Sequence, residues 1–172
     1  MSALTMLQHA SRIIGLLFLI CYAYQLLYIP VALFSKEKPR PGARLHRYAV
    51  LISARNEAAV IAQLLDSISR QDYPADYVVP FVVADNCTDE TARVARDAGA
   101  VVYERFDPVH VGKGYALNYL LQQIRDAWGD DYFEGYFVFD ADNLLQGDYI
   151  SRMNETFDGG CSIVTSYRNS KN

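Results

Sequence analysis

What this chain lacks narrows it first. There is no Gly-x-Gly-x-x-Gly at its first strand–helix turn, which weakens a dinucleotide-binding reading, and no Walker-type loop ending in Gly-Lys-Ser/Thr. There is no Gly-x-Ser-x-Gly, and Cys87 has no sequence-adjacent His, so no nucleophile arrangement stands out. Cysteine is scarce. Cys21, Cys87 and Cys161 are odd in number and widely separated, which gives neither a disulfide framework nor a zinc pattern, and they read as free thiols in a reducing compartment. Basic residues are not in excess: a net charge of −4 argues against nucleic acid as the main partner. No internal repeat and no low-complexity segment is present. What remains is an apolar 51% of 172 residues, enough for one domain of ordinary size with a real core.

One long apolar run is present. Residues 13–34 contain no charged residue and only Gln25 as a strongly polar one. At about 1.5 Å per residue this run can cross the ~30 Å hydrocarbon core of a bilayer. It is a transmembrane candidate, with a buried soluble helix as the other reading; a cleaved signal peptide would have a shorter apolar centre and a small-residue cleavage site. Lys36, Lys38, Arg40, Arg44 and Arg47 follow the run and Arg12 alone precedes it. That asymmetry predicts a single-pass protein with its C-terminal side in the cytoplasm, in a bacterial cell membrane. The expected layout is an N-terminal segment (1–12), a transmembrane helix (13–34), a basic linker (35–47) with Pro39, Pro41 and Gly42, and a domain over 48–172. The sequons at Asn86 and Asn154 matter only if that topology is reversed.

From Tyr48 the pattern alternates between strands and helices. Apolar runs predict strands at 48–52, 78–84, 100–103, 136–139 and 162–166, with Pro80 suggesting an irregular start to the second. Val60, Ile61, Leu64, Leu65 and Ile68 recur at helical spacing, with Asn56 a candidate cap; Thr88 is a candidate cap for a second helix. Leu117, Leu120, Leu121 and Ile124 mark a third helix opening after Gly112-Lys113-Gly114, and a fourth is expected near 149–157. The alternation predicts an α/β fold: a mostly parallel, Rossmann-like sheet with right-handed crossovers and helices on both faces.

In such a sheet the strand ends Ser53–Glu57, Asp85–Thr88 and Asp140–Asn143 lie along one edge, where ligands bind. Asp140 and Asp142 stand two apart; if the extended conformation persists they project to one side and suit a cation shared with substrate phosphates, although Asp and Asn also serve as turn residues there. Asp85 can accept hydrogen bonds from a base or ribose, or cap the next helix. Gly112-Lys113-Gly114 opens a helix whose N–H groups favour an anion, and a glycine turn before a helix is also common. His110 beside it reads as a surface histidine.

Four motifs in order resemble glycosyltransferase family two: Ile52-Ser53-Ala54-Arg55-Asn56-Glu57, Ala84-Asp85-Asn86-Cys87-Thr88-Asp89-Glu90-Thr91, Gly112-Lys113-Gly114-Tyr115-Ala116-Leu117-Asn118 and Asp140-Ala141-Asp142-Asn143. The resemblance runs from Tyr48 to the last residue. It implies a GT-A fold, a Mg²⁺ or Mn²⁺ ion, a UDP-sugar donor, inverting transfer to a glycan or lipid acceptor, and membrane attachment. Ala54, Arg55 and Glu57 would belong to the nucleoside pocket and Asp85 would contact the base. Lys113 would lie near the nucleotide, Asp140 near ribose or metal, and Asp142 would be the metal ligand. Ser53 stands where many members have proline. The family's general base is expected beyond Asn172, so no catalytic base is nominated; Asp148, Glu155 and Asp158 read as solvated helix charges. A non-catalytic nucleotide-binding module and a nucleotidyltransferase remain as alternatives.

Overall fold

The computed structural model describes residues 3–34 and 43–167 and divides into two compact units, Met1–Pro39 and Arg40–Asn172. The expected linker residues Lys36, Lys38, Pro39, Arg40, Pro41 and Gly42 lie outside the described residues.

The first unit is helical: α1 (Ala3–Ala23), a 3₁₀ turn (Tyr24–Leu27) and α2 (Tyr28–Phe34). Thr5–Val31 is long and apolar enough to cross a membrane, by length and composition. It begins earlier than the apolar run alone suggests, because Gln8, His9 and Arg12 continue the same helix. The 3₁₀ turn just before Pro30 has a physical cause: proline offers no N–H to the carbonyl four residues back, so the preceding turn tightens.

The second unit is a four-stranded parallel sheet in the order β3-β2-β1-β4. Its strands are β1 (Tyr48–Ala54), β2 (Val78–Asp85), β3 (Val101–Arg105) and β4 (Gly135–Asp140). The connections run through α3 (Ile61–Ser69), α4 (Thr91–Asp97) and α5 (Lys113–Trp128), and α6 (Tyr149–Asp158) follows β4. Steps from β1 to β3 go one way across the sheet, and the step to β4 returns past β1. With right-handed crossovers, reversing direction puts the helices on opposite faces.

The two cores follow that rule. Val50, Ile52 and Ala54 of β1 pack with Ile61, Leu64, Leu65 and Ile68 of α3 and Ala95 of α4. Ala49 and Leu51, the alternate residues of β1, pack on the other face with Ala116, Leu120 and Ile124 of α5. Strand period 2 against helix period 3.6 is what makes both contacts possible from one apolar strand. On the α5 face Tyr136 and Val138 of β4 stay exposed.

Pro80 is tolerated inside β2 because pairing with β3 begins only at Phe81↔Val101, so its missing N–H lies where that side of the ladder is still open. The fifth predicted strand, 162–166, is not one: the segment is irregular and Ile163 is 92% exposed, with no described neighbour strand to supply hydrogen bonds. Neither predicted cap acts as one. Val60 precedes α3 and Glu90 precedes α4, while Asn56 and Thr88 bond to each other instead.

Candidate functional site

Register places every strand end on one edge. Ala54 is level with Ala84, Asp85 with Arg105, and Ser53 with Asp140. Between β1 and β4 the chain reverses its direction of travel, and such a switch point opens a crevice at the carboxyl ends of the strands. Ala54, Arg55, Glu57, Asp85 and Asp140 are therefore brought to one rim, with Lys113 at the start of α5 and Asp142 in the turn that follows β4.

The first two loops are stitched together. Asn56, in the left-handed region at φ 57°, accepts from the Thr88 N–H at 2.8 Å. The Glu57 N–H donates to Thr91 Oγ1 at 2.8 Å, and that hydroxyl donates to Asp89 Oδ1 at 2.5 Å. Asp89 also accepts from the Ala58 N–H at 3.2 Å. The hydrogen bond from Thr91 holds the Asp89 carboxyl below its ordinary value. The Cys87 thiol donates to the Ala54 carbonyl at 3.5 Å, and all three cysteines are free thiols. Arg55 is exposed, and no hydrogen bond or ion pair to it occurs among the described residues.

Asp85 is 3% exposed and meets a residue that the motif reading passed over. Arg105 Nη1 donates to Asp85 Oδ1 at 2.6 Å, and Asn86 Nδ2 approaches the same oxygen at 3.3 Å. Nη2 of Arg105 reaches Asp107 Oδ2 at 2.9 Å and the His110 carbonyl at 2.8 Å. Asp107 Oδ1 in turn accepts the Val109 and His110 N–H groups, which hold its carboxyl down at about 2. β3 closes on two charged residues, Glu104 and Arg105, and nothing local in the sequence separates the buried one from the exposed one. His110 sits on the surface as expected, its ring tilted against Tyr115 at 5.3 Å.

At the other side of the rim, Lys113 opens α5 and its ammonium pairs with Asp140 Oδ1. Gly112, at φ 134°, makes the turn that aims the helix N-terminus at the site. β4 ends at Asp140, and the extended run does not persist to Asp142: the Asn143 N–H donates to the Asp140 carbonyl at 3.0 Å, closing a turn over a buried Ala141. Strand alternation therefore does not set these two side chains on one side. Asp140 and Asp142 instead occupy the start and the third position of a β-turn, with Asn143 Nδ2 3.3 Å from Asp142 Oδ1. Among the described residues no group of three or more His, Cys, Asp or Glu side chains could hold a metal. Two carboxylates on one turn are an oxygen-only donor set that suits Mg²⁺ or Mn²⁺ when diphosphate oxygens complete the shell.

Asp148 is the residue before α6 and pairs with Arg152 at 2.5 Å. Asp158 is more than a solvated helix charge. It accepts from His46 Nε2 at 2.9 Å, far along the chain at the opposite edge of the sheet. Neither has the setting of a base at the rim.

A parallel four-stranded sheet with helices on both faces is an α/β architecture of the GT-A type. Residues 46–172 match the model described as glycosyltransferase like family 2, and the chain belongs to that family. It is 35% identical over 120 residues to 4,4'-diaponeurosporenoate glycosyltransferase of Staphylococcus haemolyticus, covering 67% of this chain and 30% of that protein. It is 43% identical over 74 residues to the Staphylococcus aureus enzyme of the same name, covering 43% of this chain and 19% of that protein. This chain thus spans less than a third of those relatives. Among solved structures, the mannosyltransferase PcManGT of Pyrobaculum calidifontis, in complex with GDP-Man and Mn²⁺, aligns with TM-score 0.60 and 26% identity over 83% of this chain and 41% of that one. Staphylococcus aureus TarS in complex with UDP-GlcNAc aligns with TM-score 0.53 and 21% identity over 66% of this chain and 31% of that one, a likeness of fold.

Proposed function

We propose that this chain is the donor-binding portion of a membrane-anchored, inverting glycosyltransferase that takes a sugar from a nucleoside diphosphate, UDP by preference, and passes it to a glycan or lipid acceptor. The observation that carries the reading is the placement of Asp85, Lys113, Asp140 and the Asp142 turn around one switch-point crevice. In this reading Asp85 accepts an N–H of the base, and Ala54, Arg55 and Glu57 border the nucleoside. Asp140 and Asp142 would hold a Mg²⁺ or Mn²⁺ ion, which when bound neutralises charge on the diphosphate leaving group. Lys113 then exchanges Asp140 for a phosphate oxygen, at a helix N-terminus that already favours anions. No described carboxylate is assigned to deprotonating the acceptor hydroxyl. A Mn²⁺-dependent donor site is supported by the likeness to the mannosyltransferase bound to GDP-Man and Mn²⁺. The apolar helix Thr5–Val31 supports anchoring, and the basic residues from Lys36 to Arg47 support a cytoplasmic domain in a bacterial cell membrane.

Calorimetric titration of the detergent-solubilised chain with UDP, with and without Mn²⁺ and with GDP as control, tests this. Metal-dependent binding that Asp142→Ala abolishes, in a variant with an unchanged melting temperature, is the expected result. Equal affinity in wild type and Asp142→Ala would overturn the metal assignment, and GDP preferred over UDP would reassign the base.

A further inference from the structure

We infer that Arg105 is a positioning residue for base recognition, holding the Asp85 carboxylate in one orientation and tying it to the 106–112 loop that leads into Lys113. The inference rests on the nucleotide site proposed above and adds to it a residue outside all four motifs. A buried carboxylate on a strand end can rotate about χ2, and which oxygen meets a ligand depends on what grips the other. Here Oδ1 of Asp85 takes both Arg105 Nη1, at 2.6 Å, and Asn86 Nδ2, at 3.3 Å. Oδ2 has no hydrogen-bond partner among the described residues, and it is not a sealed orphan, since no fully buried side-chain oxygen or nitrogen there goes unpaired. One oxygen is gripped and the other is left to accept.

The grip is itself over-determined. Arg105 is 8% exposed, and its second nitrogen is shared between Asp107 Oδ2 and the His110 carbonyl. Asn86 ties the same parts together from the other strand: its N–H donates to the Arg105 carbonyl at 2.8 Å and its Oδ1 accepts the Asp107 N–H at 2.9 Å. A planar guanidinium can bridge a carboxylate and a loop at once, and a lysine ammonium has no such fork. The ends of β2 and β3 and the approach to α5 therefore move as one piece around the oxygen that reads the base.

The chemistry of the ligand follows. An ionised carboxylate oxygen only accepts, so it favours a base with an imide-type N–H, such as uracil or guanine. It disfavours cytosine, whose ring nitrogen at the same place carries a lone pair. Removing Arg105 frees the carboxylate to rotate, so discrimination between bases should fall further than general nucleotide binding.

Calorimetry on the full chain in detergent with Mn²⁺, comparing UDP with CDP, reads this directly. Losing an oriented, charge-assisted hydrogen bond predicts that Arg105→Met weakens UDP binding by about tenfold to a hundredfold. CDP binding should change by less than about threefold, so the UDP/CDP preference collapses. Arg105→Lys should fall between wild type and Arg105→Met. In an Asp85→Asn background Arg105→Met should have no further effect on UDP, because the carboxylate it orients is gone. That charge-free double variant and Arg105→Lys carry the test if Arg105→Met alone fails to fold. A merely structural role would lower UDP and CDP affinity alike, and that result overturns the inference. So does an Arg105→Met chain that keeps its UDP/CDP preference while Asp85→Asn loses it, an outcome that leaves the nucleotide site standing. A wild-type chain that binds neither UDP nor GDP removes the donor-site reading and this inference together.

Discussion

Gly135 is where one methyl group should have a large effect. It begins β4 and lies opposite Tyr48 in the register of the parallel pair. A Cβ built on Gly135 falls 2.6 Å from Tyr48 Cε1 and 2.8 Å from Cδ1. That ring has little room to yield: Tyr48 is 2% exposed, its hydroxyl donates to Asn154 Oδ1 at 2.9 Å, and Phe137 packs against it at 4.9 Å between centroids. Overpacking of a fixed ring costs about 1–3 kcal/mol, and the entropy advantage of Ala over Gly in a strand returns roughly 0.5–1 kcal/mol. A net loss of about 1–2 kcal/mol lowers the melting temperature of a domain this size by roughly 3–10 °C. Trp128, the chain's one tryptophan, packs edge-on to Phe81 at 5.8 Å and reports unfolding by its fluorescence. Gly135→Ala should melt lower by that margin, and Tyr48→Leu should remove most of the difference by taking the ring away. A Gly135→Ala protein as stable as wild type, or a full penalty persisting beside Tyr48→Leu, would refute the argument from contact geometry.

Two further outcomes follow from the hydrogen bonds. Glu134 and Asp158 are both held below their ordinary values, chiefly by hydrogen bonds from the His46 ring. A depressed folded value means that their contribution to stability is present above the unfolded value of about 4 and fades as pH falls through the folded one. Melting temperature should therefore drop more steeply below about pH 4 in wild type than in Asp158→Asn, and parallel acid limbs would contradict this. Asn56→Ala loses the bond to the Thr88 N–H and also puts a Cβ-bearing residue without that bond at φ 57°, whereas Asn56→Gly loses the bond alone. Thermal melts should place Asn56→Ala below Asn56→Gly by about 1 kcal/mol, and equal stabilities would show that the left-handed backbone is not the constraint.

How much of this could be read from the residues divides along a physical line. The four described strands and the helices between them were legible because apolar periodicity is a local property: Val50, Ile52 and Ala54 face one core and Ala49 and Leu51 the other. The rim was legible for the same reason, since strands that alternate with helices run parallel and share an edge. Segment 162–166 misled because five suitable residues do not make a strand without a neighbour to bond. Asn56 and Thr88 look like caps, but each lies several residues from its helix and finds the other across a loop pair separated by 32 positions. Arg105 was illegible because its meaning lies in Asp85, 20 positions away, and no local pattern states that pairing.

The buried polar residues show how the fold separates two tasks. Among the described residues they are His46, Asp85, Thr91, Arg105 and Asn154, and none of these lies in the middle of the sheet. At the amino ends of the strands, Asn154 of α6 accepts from the Tyr48 and Tyr73 hydroxyls and donates to the Arg44 carbonyl, while His46 lies between Glu134 and Asp158. Burial pushes the phenols of Tyr48 and Tyr73 up, so they stay neutral donors through the physiological range. That network locks the stretch entering β1 against the stretch entering β4. At the carboxyl ends, Thr91 and Arg105 tie down the loops that follow the strands. A polar group buried at either end is satisfied by partners from distant segments, so the first network ties the entry of β1 to the entry of β4 and to α6, and the second ties together the loops that follow β1, β2 and β3. Substitutions at His46 or Asn154 should therefore lower stability while leaving base preference intact, and substitutions at Arg105 should alter base preference. A His46 variant that folds but loses UDP/CDP discrimination would show that the two ends are coupled through the strands.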